Sequence, residues 1–419
     1  MTASSPSLPP IHADHPAVAW RDLAWRLPRA HGLQATVGLD AALHALTPLP
    51  TLTPAHLAML DQRGRLEAGL DVFMVEAFLR RHGASLPPAD QRALQASASA
   101  VAAALDVPPI LTYPLYIREN PGAPEHLRRF TPLAAEVRFI RMHRLIEDEM
   151  DRLLPVLAAI PVAADPLVAL EAALPDLRAG FRLINRTMAG FRSPQRMPHR
   201  DFFQGFRPYY DSRKDPASGD VLLEGPSGLQ SAAYRLLAMR IGYRDASFDR
   251  WTDRLMRHQL PAARRALLAA RADRDAGRSL LAVCEAVVGP AGDLPPLHPH
   301  YAPQLPRLFE AARAGGYVSP DIEAEFARLN LVLGAWPVGA AHDDWPAELP
   351  EPRVLDARSA RAVDQLREVE AMIFGFQMEH AATAADQIGT EHGTGGTSGV
   401  EFLLLATFRR AFPLLWAAA

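Results

Sequence analysis

Cysteine is almost absent from this chain of 419 residues; Cys284 is the only one. A single thiol rules out an internal disulfide framework, a four-cysteine zinc site and the Cys-x-x-Cys-His attachment of a covalent c-type haem. It agrees with a reducing cytoplasm, the expected location. Long apolar runs are lacking as well: no stretch reaches the roughly 18 apolar residues that suggest a membrane span. Neither sign of charge is in excess. A net charge of −3 leaves no basic field for nucleic acid or for an anionic membrane surface, so neither is expected as a partner. β-Branched runs are scarce, and no segment alternates clearly as a strand. Met1 to Pro10 lacks a basic region followed by an apolar core, so it reads as a disordered lead-in and not as a signal peptide.

What is present is an alanine-, leucine- and arginine-rich chain with 49% apolar residues, enough for a sizeable core and favourable for helices. The expected fold is all-α: a lead-in over 1–14, a small helical domain over 15–125 and a large helical domain over 126–419. Ala17–Leu46 reads as short helical segments. Thr53-Pro54, a threonine cap followed by proline, opens one helix to about Arg81, where His82-Gly83 stops it. A second spans about Pro88 to Leu105. Val107–Pro121 reads as an extended connector anchored by Tyr113, Leu115 and Tyr116. Further helices cover about Pro132–Ile160, with a stripe of Val137, Ile140, Leu145 (or Arg144), Met150, Leu154 and Leu157, and Asp165–Met188. Asp211–Pro226 reads as a loop with room for a short hairpin. A helix from Ser227 to about Arg240, helical patterns over Phe248–Val288, two short helices over 306–314 and 320–333, and a helix from Ala362 complete the chain.

Four features carry chemistry. Leu366, Val369, Ile373, Phe376, His380 and Thr383 recur at three- and four-residue steps, so they share one helix face. A histidine there serves either as a metal ligand or as a hydrogen-bonded core residue. Gly393-Thr394-Gly395-Gly396-Thr397-Ser398-Gly399 lets backbone N–H groups converge on an anion, although a flexible hinge reads the same way. The loop has no lysine for a P-loop and no preceding strand for a dinucleotide fingerprint. Arg207, among Phe202, Phe203, Phe206, Tyr209 and Tyr210, is suited to gripping a carboxylate or to stacking on aromatic rings. His143, in the middle of its helix, could act as a general base or hydrogen-bond partner, or as a paired core residue. No Glu-x-x-His pair and no Gly-x-Ser-x-Gly elbow occur, which disfavours a di-iron carboxylate site and excludes a serine hydrolase of that type.

In combination these residues resemble the haem-dependent dioxygenase superfamily that includes tryptophan 2,3-dioxygenase, indoleamine 2,3-dioxygenase and monodechloroaminopyrrolnitrin synthase. In that superfamily the proximal histidine lies thirteen residues before a Gly-Thr-Gly-Gly-Ser/Thr loop, the interval from His380 to Gly393 here. Phe206-Arg207-Pro208-Tyr209 is similar to the segment whose arginine grips the substrate carboxylate. Ser227-Gly228-Leu229-Gln230-Ser231 looks like the family's Ser-Gly-Phe-Gln-Ser. Phe139–His143, 64 residues before Arg207, is similar to the distal-histidine helix. Phe78–Gly83 and Asp106–Pro109 resemble the pyrrolnitrin-pathway branch. Two departures point away from tryptophan itself: Arg144–Glu149 is charged where tryptophan dioxygenase is aromatic, and Arg207 and His380 are 173 residues apart.

The resemblance implies a non-covalent haem b with His380 as axial ligand, flanked by Gly395, Gly396 and Ser227. It implies an aromatic amino acid and dioxygen or peroxide as reactants. Arg207, Phe206, Tyr210, Thr394 and Thr397 would bind the substrate. Arg207 would take its carboxylate, Thr394 its ammonium or carboxylate group, and His143 the indole N–H or the bound oxygen. A peroxide-driven hydroxylase of tyrosine-like rings and a non-catalytic haem- or ligand-binding protein stay open, as does a homo-oligomer.

Overall fold

The computed structural model describes residues 14–193, 195–215, 217–243, 246–288 and 356–366, with positions 309–310, 313–314, 320, 323–324, 326–327, 368–369, 372–373 and 376. His380, Thr394, Gly395, Gly396 and Thr397, and nearly all of the helices expected over 306–333, lie outside them. Among the described residues the fold is all-α, as expected, with one two-stranded antiparallel sheet. None of the described helices is long and apolar enough to cross a membrane. The chain divides into two compact units, 1–137 with 204–226, and 138–203 with 227–419.

In the first unit, α1 (Pro16–Thr36) and α2 (Leu39–His44) are followed by α3 (Pro54–Ala58), α4 (Gln62–Arg81) and α5 (Pro88–Leu105). The amino-terminal stretch is therefore one long helix and a short one, not a series of short segments. Thr53 caps α3 by accepting from His56 N at 3.3 Å, as its sequence predicts. The helix it opens stops after five residues. A new one begins at Asp61, whose carboxylate accepts from Gly64 N at 2.7 Å. Two good caps eight residues apart give two helices, because each cap satisfies backbone N–H groups that a continuous helix would have used. The far end of α4 is as expected: Gly83 takes φ +58°, a left-handed conformation that costs glycine little.

Helix α4 packs on α1 and on α5, and its side chains from Leu66 to Leu79 are buried almost without a break. Gly69 permits the close approach, since a Cβ there would come within 2.6 Å of Leu105 Cδ1. Tyr113, Leu115 and Tyr116 are buried anchors, as expected. The connector is not wholly extended, however: Pro114–Arg118 forms one wide helical turn, closed by Glu119 N donating to Pro114 O. The Asp211–Pro226 loop does contain a hairpin, β1 (Arg213–Lys214) paired with β2 (Val221–Leu223).

Helix α6 (Ala134–Ala159) runs across the boundary between the units. Within the second unit, α7 (Pro166–Ala189) follows, capped by Asp165 through Leu167 N and Val168 N. Next come α8 (Ala232–Ile241), α9 (Ala246–Met256), α10 (Pro261–Asp275) and α11 (Leu280–Val288). Along α6 the buried large apolar side chains are Ile140, Ile146, Met150, Leu153 and Leu157, while Leu145 is 43% exposed. The expected stripe was one residue out of phase in the middle, where a charged run weakens the apolar period. Cys284 on α11 is structural: it is fully buried, and its thiol donates to Ala362 O at 3.4 Å.

Candidate functional site

Two of the predicted site residues that the structure describes, His143 and Ser227, fall in the second unit, on separate elements. His143 lies half-buried on α6. Its Nδ1 is 3.0 Å from Phe139 O, one turn earlier. A carbonyl can only accept, so Nδ1 carries the hydrogen and Nε2 is the acceptor nitrogen of the neutral ring. Phe139 and Phe191 hold the imidazole between them, with ring centroids at 4.1 and 4.6 Å. The aromatic row continues from Phe139 to Phe202 at 5.4 Å and from Phe202 to Phe203 at 4.8 Å. The ring is thus oriented by a backbone bond and walled by apolar rings.

Ser227 acts as a cap: its Oγ accepts from Leu229 N at 3.3 Å, starting a tight turn over Gly228–Gln230. Ser231 then caps α8 through Tyr234 N at 3.1 Å. The intervening carbonyls are clamped by two side chains that sequence reasoning missed. Arg235 donates twice to Leu229 O, at 3.1 and 2.9 Å, and Gln259 donates to Gln230 O at 2.7 Å. Burial lowers the Arg235 guanidinium to about 10, which still leaves it cationic at neutral pH. Its third hydrogen bond goes to Thr252 Oγ1 at 2.7 Å. A buried arginine i+4 to a serine cap has no signature that separates it from a surface arginine on the same helix.

The stripe expected ahead of His380 is buried in its described positions. Leu366, Val369 and Ile373 are wholly inaccessible and Phe376 nearly so. Tyr234 of α8 lies 5.8 Å from Phe376, and Asn185 of α7 donates to Met372 O at 3.2 Å. His380 comes four residues after Phe376 in the sequence.

In the first unit, Phe206, Arg207 and Tyr210 stand on consecutive turns, a wide one over Asp201–Phe206 and a tight one over Arg207–Tyr210. Phe206 is fully buried and Arg207 half-buried. Tyr210 is buried and donates to the Tyr116 hydroxyl at 3.1 Å, which in turn donates to Glu136 Oε1 at 2.7 Å. Glu136 accepts three more bonds at 2.7 Å, from Phe130 N, Thr131 N and Thr131 Oγ1. Desolvation pushes its carboxyl upward, and these donors oppose the shift. Neither a model of a known protein family nor a curated protein matches this chain.

Beside Arg207 the structure assembles a group that the sequence did not suggest. Tyr209 OH lies 2.7 Å from His31 Nδ1 and 3.1 Å from His82 Nε2. Desolvation is the first cause lowering both histidines, with Arg81 and His31 adding to the effect at His82. The Tyr209 hydroxyl is pushed well above its usual range, chiefly by burial and then by the Glu136 charge. All three groups are neutral near pH 7. Among the described residues no three His, Cys, Asp or Glu side chains come together as a site for a bare metal ion.

Proposed function

We propose that this protein is a haem b-dependent oxygenase acting on tryptophan or a tryptophan-derived aromatic amino acid, in secondary metabolism. The observation that carries the reading is the buried apolar face of Leu366, Val369, Ile373 and Phe376, which in sequence register continues to His380. A haem needs one axial side chain and an apolar wall for its flat ring; the apolar face supports the second requirement, and the first is assigned to His380 by the resemblance. His380, with Gly395 and Gly396 beside it, would hold the group. When bound, the haem supplies the iron at which dioxygen or peroxide is activated.

The rest is work for the chain's own side chains. His143, with Nε2 as acceptor, takes the hydrogen bond of an indole N–H, and Phe139 and Phe191 keep its ring in place. Arg207 pairs with the substrate carboxylate through its two-pronged guanidinium. Thr394 and Thr397, in the glycine-rich loop, bind the polar end of the amino acid, and closure of that loop excludes water.

Protein expressed with ample haem is expected to show a Soret band that shifts on addition of L-tryptophan or a ring-substituted analogue. The band is expected to be lost in His380→Ala. A band that persists unchanged in His380→Ala would remove the axial assignment, and no Soret band at all would remove the haem.

A further inference from the structure

The two tyrosines after Pro208 are each tied down, by separate means. Tyr209 gives its hydroxyl to a pair of imidazoles, His31 on α1 and His82 at the end of α4. A phenol has one hydrogen to donate, so one ring accepts it and the other donates its own N–H to the oxygen. Each of the three groups therefore sets the hydrogen placement of the others. The Tyr209 ring is stacked on Phe130 at 4.4 Å and 8°, and lies nearly parallel to Phe78 at 5.6 Å and 10°. Tyr210 is held through Tyr116 to the Glu136 carboxylate. Pro208 restricts its own φ and the conformation of Arg207 before it. The backbone that carries Arg207 is thus fixed from its carboxyl side by side chains from α1, α4 and α6.

We propose that His31 and His82 are positioning residues which, through Tyr209, lock the turn that presents Arg207 to a ligand carboxylate. The inference rests on Arg207 binding that carboxylate, and it adds the device that aims it. A guanidinium pairs with a carboxylate through two parallel bonds, so a small rotation of its backbone costs both. Charged groups near the lock are Arg81, which follows Arg80 on α4 and pairs with Asp211 at 3.1 Å, and Glu136 on the Tyr210 side. Neither is a direct hydrogen-bond partner of the Tyr209 hydroxyl. Protonating both imidazoles would turn both into donors beside the Arg81 cation, and the lock would weaken.

The test uses the full-length haem-loaded protein and its Tyr209→Phe, His31→Gln and Arg207→Leu variants. Two readouts are needed: amide hydrogen exchange over 207–211, and calorimetric affinity for L-tryptophan and for tryptamine, which lacks the carboxylate. The lock predicts faster exchange over 207–211 in Tyr209→Phe and His31→Gln. It also predicts about tenfold weaker tryptophan binding in both, with tryptamine affinity unchanged. Arg207→Leu should abolish the preference for tryptophan over tryptamine. Tryptophan binding in the native protein should fall as pH drops below about 6.5, and Tyr209→Phe should flatten that profile. Unchanged exchange in the tyrosine and histidine variants overturns the lock. Faster exchange with unaltered tryptophan affinity also overturns it, while leaving Arg207 as the carboxylate group if Arg207→Leu still costs affinity. No effect of Arg207→Leu, or no binding of either ligand to the native protein, removes the Arg207 assignment and the proposal with it. Should Tyr209→Phe fail to fold, His31→Gln at a half-buried position decides the question alone.

Discussion

The hydroxyl of Tyr209 lies 2.7 Å from Nδ1 of His31, a residue 178 positions earlier in the chain. That bond, with the one to His82, ties the start of the chain to the middle inside the first unit, and it gives the unit a pH-dependent element.

Both imidazoles are lowered by burial from 6.5, so the folded state prefers them neutral. Their contribution to stability is complete above about pH 6.5 and is lost as pH falls through their folded values. Asp71, raised to about 6 mainly by burial despite Arg128, works in the opposite sense. Its contribution is complete below 3.8 and is lost as pH rises towards 6. The difference between native protein and His31→Gln isolates the histidine part. Urea unfolding between pH 7.5 and 5 is expected to show a smaller loss of stability in His31→Gln than in the native chain.

Glu136 is inaccessible and accepts four bonds from Phe130, Thr131 and Tyr116. Glu136→Gln puts an NH₂ group where one carboxylate oxygen meets N–H and O–H donors. The expected cost is about 2–4 kcal/mol in urea unfolding. Thr131→Val removes one donor to Glu136 and the acceptor of Leu133 N, and should cost about 1 kcal/mol. Equal, small effects of the two changes would show that the carboxylate is not the centre of this network.

Arg128 and Asp71 are both buried, with Nε 2.8 Å from Oδ1. Arg128→Met should destabilise by about 3–5 kcal/mol, because it leaves a carboxylate enclosed without its cation. Adding Asp71→Leu should recover much of that loss. A double variant no more stable than Arg128→Met would mean that the guanidinium serves by packing against Trp25, over which it lies at 5.1 Å.

A Cβ on Gly225 would fall inside contact distance of the Tyr210 carbonyl, which is backbone and cannot swing away. Gly225→Ala is therefore expected to shift the Arg207–Tyr210 turn and to lower stability by about 1–3 kcal/mol. Faster amide exchange at 207–211 in that variant would register the shift. Gly219→Ala, at φ +75° in the exposed hairpin loop with open space around it, should cost about 1 kcal/mol or less and leave the turn alone.

Some of this architecture can be read directly from local sequence. Thr53-Pro54, Asp165-Pro166 and Ser231 are caps whose side chains satisfy N–H groups two or three residues ahead, so the information lies within one turn. The period of Leu366, Val369, Ile373 and Phe376 announced a buried face, and the described positions are buried. Local signals failed where two of them compete: the Thr53 cap predicts one helix only if the Asp61 cap is overlooked. They failed again at Leu145, where the charged run over Arg144–Glu149 blurs the phase that puts Ile146 inside.

The sequence by itself determined that the described chain is helical, roughly where α5, α6 and α7 start and stop, and which residues have the chemistry to hold a carboxylate or a metal. Those properties depend on side chains within four or five residues of one another. Only the tertiary structure decided that 204–226 returns to the first unit, that His31 and His82 share the Tyr209 hydroxyl, and that Tyr210 reaches Glu136 through Tyr116. Contacts across 94 to 178 residues leave no periodic trace in a single sequence, because their partners are chosen by the packing of α1, α4 and α6 and not by spacing along the chain.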